Sequence, residues 1–255
     1  MQLLLSLYFG KLVVFAMVLS RIAAMTMLVP IFGSRTLPLH LRIMIAVVLS
    51  VLVAPIQWQV GVAIPSHHEI LVGLLVNILI GASLGLAVMA LFSGFTLAGG
   101  LIAQSGMAIT PAQSADPLSP HSPVTVRILQ VLALAIFVAL GGHRLLMMSI
   151  LDSFQALPAT GTALPGGMLE TITRLLSESF RMAVCVAAPV VTAVLAATLL
   201  IGLASRAIPQ LNSFTMGFTV NLWVTFLGLL FSLAAIGHLF GDKITHFISI
   251  WKQSF

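Results

Sequence analysis

Long apolar runs alternate along this chain with short polar breaks marked by proline and glycine. Six hydrophobic segments stand out, at 3–32, 43–55, 70–103, 126–140, 182–204 and 214–240. Charged residues are missing from 43–68, 70–115, 128–143, 182–205 and 207–241. Each of these runs approaches or exceeds the roughly 20 residues that cross a bilayer as a helix. The pattern predicts an all-α fold, a polytopic membrane protein of about six helical segments. Segment 43–55 is short for a span unless it extends toward Val62, and Pro55 and Pro65 are read as breaks. The run 70–103 is one helix or two. It is dense in small residues, and its GxxxG pair, Gly81 and Gly85, suits close helix packing. Pro189 is placed to kink 182–204. The last fifteen residues, with Lys243, Trp251 and Lys252 among apolar neighbours, read as a helix lying in the membrane interface.

Two features break the apolar pattern. The first is the stretch 104–127, QSGMAITPAQSADPLSPHSPVTVR, which holds Pro111, Pro117, Pro120, Pro123 and Asp116. Proline at this density stops any continuous helix. Backbone this irregular and polar finds no partners in lipid, so it sits in water, against protein or inside a cavity. The second is Arg21, in the middle of the first segment. Lys11 is near enough to an end to snorkel, but an arginine at mid-depth is costly unless it faces protein, a carboxylate or water. Arg21 is therefore a buried partner for another helix or the lining of a water-filled path.

Composition removes the soluble classes. The chain is 60% hydrophobic and 7% charged, with a mean hydropathy of +1.16, whereas a soluble domain carries about 25% charged residues. The net charge of +5 does not point to nucleic acid, because the basic residues are scattered singly without aromatic interleaving. They read as interface anchors, and their distribution leaves the positive-inside rule nearly silent. The single cysteine, Cys185, has no partner for an internal disulfide and reads as a packing residue. The N-terminus lacks a basic n-region and is expected to remain on the mature protein.

Candidate chemistry is thin. His67-His68-Glu69 could suggest a metal, but neighbouring helical positions do not converge, and no cofactor is expected. His143 with Asp152, and Ser105-Gly106 with His143, lack the motifs that would make them catalytic pairs. The chain is expected not to be an enzyme. Glu170–Arg174 and Glu178–Arg181 have the spacing of ordinary pairs on a helical face. A secondary transporter would need a midplane site, and intramembrane carboxylates are lacking, so a stand-alone carrier or channel is the second reading.

The ordered motifs resemble one family over nearly the whole chain. They are Arg21 with Pro30-Ile-Phe-Gly33 and Leu37-Pro38; Gly81-x-x-x-Gly85; Asp116-Pro117 with Ser122-Pro123; and Gly142-His143 with Asp152-Ser153-Phe154 and Leu157-Pro158. The set closes with Gly202-Leu-x-x-Arg206-x-x-Pro209-Gln210-Leu-Asn212 and Gly217-Phe218. This set resembles the FliR family, export-gate subunits of the flagellar type III apparatus, and their injectisome counterparts. The resemblance implies a FliP-like part, 1–181, fused to a FliQ-like hairpin, 182–255. It implies FliP-, FliQ- and FlhB-type partners, unfolded protein substrates and a place in the bacterial inner membrane. It makes 104–123 a pore plug, with Gln104, Met107, Ile109, Pro111, Asp116, Pro117, Pro120 and Pro123 as its residues. Gly81, Gly85 and Arg21 become subunit-packing positions, and Arg206, Pro209, Gln210 and Asn212 the tip of the hairpin.

Overall fold

Apolar runs in lipid satisfy their backbone groups only from within, which favours helices. Among the described residues of a computed structural model every regular element is a helix. Those residues are 2–30, 38–58, 67–106, 122–162, 166–207 and 213–252, without the side chains of 2–7, 67, 106, 213–215, 233–240, 242 and 252. They form α1 (Gln2–Leu28), α2 (Leu39–Gln57), α3 (His67–Gly106), α4 (Val124–Ala139), α5 (Gly142–Ala156), α6 (Met168–Ala207) and α7 (Ser213–Lys252). Each of the six hydrophobic segments contributes a helix. The all-α polytopic fold expected from the sequence is what is observed.

The boundaries differ from the sequence pattern in instructive ways. α2 runs on past Pro55 to Gln57. This close to a C-terminus, proline forfeits one hydrogen bond to the preceding turn without stopping the helix. The run 70–103 is one helix, and α6 passes through Pro189. α1, α2, α3 and α6 are long and apolar enough to cross a membrane, and a fifth span follows if α4 and α5 are counted together. The break between those two is Gly141, whose φ of 70° lies in the left-handed region that glycine enters without steric cost.

The chain divides into two units. The first holds Met1–Ala90, Gly141–Leu175 and Thr245–Phe255. Its core starts from the stripe Val14, Met17, Val18, Ile22 and Met25 of α1, all buried and spaced to share one helical face. α3 meets that face through glycines. A Cβ on Gly81 would run into the backbone of Arg21, and one on Gly85 would lie 2.7 Å from Leu28 Cβ. The end of α7 belongs to the same core: Phe247 and Trp251 are buried, and Trp251 Nε1–H donates to Ser83 Oγ at 2.9 Å.

The second unit holds Leu91–Leu140 and Leu176–Ile244. Phe92 and Phe137 stack at 5.5 Å between centroids in a tilted arrangement. A Cβ on Gly94 would come 2.9 Å from Ser179 O, so α3 and α6 also approach through a glycine, beside a Ser93–Ser179 hydroxyl contact of 3.0 Å.

Candidate functional site

Three arrangements emerge from these elements: a polar node on α1, a clamped base for the proline-rich stretch, and a helical hairpin. At the node Arg21 is 1% exposed, in the middle of an apolar span. Its Nε–H donates to Asn77 Oδ1 at 2.8 Å. Its NH1 group donates to Ser153 O at 3.0 Å, Ser153 Oγ at 3.2 Å and Leu157 O at 3.1 Å. Its Cζ lies 4.2 Å from the centroid of the Phe154 ring. The acceptors are neutral. Two of them are carbonyls at the C-terminal end of α5, where the macrodipole is negative; Ser153 O also accepts from the Leu157 N–H at 2.9 Å. Asn77 Nδ2 donates in turn to Gly73 O at 2.7 Å and Ala159 O at 2.8 Å, and Gln57 Oε1 accepts from the Ala159 N–H at 3.3 Å. The non-helical turn after α5 is thus held by α1, α2 and α3, which is how irregular backbone survives among membrane helices.

The second arrangement lies where α3 leads into the proline-rich stretch and α4 leads out. A Cβ on Gly99 would lie 2.7 Å from Val126 Cα, so only glycine permits this approach. Thr125 Oγ1 donates to Gly99 O at 3.0 Å. Pro123 precedes α4 in an extended conformation, φ −56° and ψ 143°, the backbone proline prefers just outside a helix start. The third arrangement is α6 against α7. Lys243 Nζ meets Glu178 Oε2 at 2.6 Å, and a Cβ on Gly228 would lie 3.5 Å from Val190 Cβ. Thr198 and Asn221 exchange hydrogen bonds at 3.1–3.3 Å. The contacts step evenly in opposite directions along the two helices, as in a straight antiparallel hairpin.

Comparison with known proteins decides the family. The family model described as bacterial export proteins, family 1, matches residues 12–247. Flagellar biosynthetic protein FliR of Escherichia coli (strain K12) is 30% identical over 221 residues, 86% of this chain and 81% of that protein. The protein of the same name from Pectobacterium carotovorum subsp. carotovorum is 32% identical over 239 residues, 91% and 90% of the two chains. That of Bacillus subtilis (strain 168) is 29% identical over 229 residues, 87% and 86%. The chain belongs to the FliR family of bacterial export proteins.

As a FliR-family export protein, it keeps several of the sequence-marked residues within its own contacts. Gly81 and Gly85 face α1 of the same chain, and Arg21 finds its acceptors there too. Gln104 is exposed on the last turn of α3, and Pro123 precedes α4. Met107, Ile109, Pro111, Asp116, Pro117 and Pro120 lie outside the described residues. Arg206 is exposed at the end of α6, and Pro209, Gln210 and Asn212 lie outside the described residues. Both expected helical pairs form, Glu170–Arg174 at 2.7 Å and Glu178–Arg181 at 3.5 Å. His143 and Asp152 stand nine residues apart on α5, about 13 Å along its axis, and Ser105 Oγ donates to its own helix at Ile102 O. Among the described residues no group of three His, Cys, Asp or Glu could hold a metal. Sequence reasoning missed Asn77 and Gln57; an amide inside an apolar run is the signal that marks both.

Proposed function

We propose that this export protein is a non-enzymatic subunit of the flagellar protein export gate in the bacterial cytoplasmic membrane. It forms part of the pore that passes unfolded substrates, beside subunits of the FliP, FliQ and FlhB types, and residues 104–123 plug that pore when it is closed. The observation that carries this reading is the family match across 12–247, with relatives named as flagellar. The clamp supports the plug: Gly99 and Thr125 hold the helices on either side of the stretch together, so both ends of a polar stretch unable to face lipid are fixed close to one another. The 1–181 part is FliP-like in this reading and the α6–α7 hairpin FliQ-like.

Deleting 107–121 from the assembled complex tests the plug. Vesicles carrying the deleted form are expected to leak small ions that the intact complex retains. A tight membrane after deletion, with assembly preserved, overturns the plug.

A further inference from the structure

The first unit contains a cavity of ≈ 260 Å³ between α1, α2 and α5. Every residue around it is apolar, among them Ile22, Met25, Leu52, Ile56, Met147 and Leu151. Leu52 is 67% exposed and Leu151 37%, whereas Ile22 and Met25 are buried, so the cavity opens between the first two and runs inward to α1. A void of this size in packed protein normally closes, because its walls forfeit dispersion contacts. Here the polar node holds the walls apart. Arg21, next to Ile22, bonds to Ser153, two residues beyond Leu151. Gln57, next to Ile56, accepts from the Ala159 N–H just past α5. These bonds fix the spacing of the same three helices at one end of the cavity, and closing it would break them.

The lining decides what can enter. Water needs two to four polar partners, and an apolar cavity stays dry and takes an apolar molecule instead, as an engineered one of about 150 Å³ takes benzene. At ≈ 260 Å³ there is room for two fused rings. Two of the nine lining residues are methionines, Met25 and Met147. A thioether sulfur contacts the edge of an aromatic ring favourably, and an unbranched side chain adjusts to the shape it meets. A saturated hydrocarbon would fill the volume without those sulfur contacts. We infer that the cavity is a binding site for an uncharged bicyclic aromatic molecule of the size of naphthalene.

The site is independent of whether residues 104–123 plug a pore. Its test is photolabelling of the full chain in membrane vesicles with 1-azidonaphthalene, the modified residues being identified by mass spectrometry. Label is expected on the lining residues of α1, α2 and α5, saturating with concentration and displaced by unlabelled naphthalene. Leu52→Trp and Leu151→Trp, which narrow the mouth from exposed positions, are each expected to abolish the displaceable label. Met25→Leu with Met147→Leu keeps the volume but removes both sulfurs. The naphthalene concentration that halves the label is then expected to rise about threefold, while that of decalin, its saturated counterpart, stays unchanged. Label that does not saturate, or that spares the cavity lining, overturns the site. So does displaceable label unchanged in both tryptophan variants. Equal displacement by naphthalene and decalin in wild type, or no change on the double methionine substitution, overturns the aromatic ligand.

Discussion

A guanidinium buried in an apolar span survives here through geometry. Arg21 spreads its charge over an amide, a hydroxyl, two helix-end carbonyls and an aromatic face. Arg21→Met would remove the Arg21 donors from Asn77 Oδ1 and Leu157 O, while Ser153 O would keep the Leu157 N–H. Hydrogen bonds to charged groups contribute about 1.5–3 kcal/mol each, and they overlap, so a net loss of about 3 kcal/mol is expected. In detergent this lowers the unfolding midpoint by about 6–12 °C for a chain of this size. Arg21→Lys recovers only part, because an ammonium lacks the planar fork that reaches several acceptors at once. A methionine variant melting within about 2 °C of wild type would show that the node is not stabilising. The sequence made Arg21 conspicuous by its position but left its partner open between protein, carboxylate and water. The answer lies 56 and 132 residues away, at Asn77 and Ser153, beyond the reach of any local pattern.

At the level of elements, the sequence was informative wherever periodicity or punctuation acts locally. Apolar runs became helices, both charged spacings became pairs, and the GxxxG glycines took a close helix approach. Helix ends were less legible, since a proline stops a helix only where the lost hydrogen bond is not offset by packing. That the last turns of α7 bury Phe247 and Trp251 was invisible to composition, because an amphipathic stretch is equally suited to an interface and to a core. The α6–α7 hairpin offers a direct check. A side chain built on Gly228 would place its Cβ 3.5 Å from Val190 Cβ, within the range of a disulfide. With Cys185→Ser removing the native thiol, Val190→Cys with Gly228→Cys is expected to crosslink nearly completely under mild oxidation. Free thiols persisting at both positions would rule out the hairpin register.

For the whole molecule, length is the governing quantity. α3, α6 and α7 have 40 residues each, about 60 Å of helix against a hydrocarbon core of about 30 Å. Apolar side chains such as Leu199, Leu203 and Phe231 are more than half exposed. Surface of this kind beyond the bilayer requires protein cover. Expressed alone, the chain is expected to self-associate heterogeneously; with FliP- and FliQ-like neighbours it should extract as one particle of defined mass. A stable, uniform particle of this chain by itself would restore the stand-alone channel or carrier. The Arg21 node also sets a clock for synthesis. Its first acceptor is made 56 residues after it, and the α5 acceptors 132 residues after it. At about 5–20 residues per second, α1 waits roughly ten seconds for the carbonyls that let its charge settle. Through that interval α1 has left the ribosome but cannot yet reach its final place.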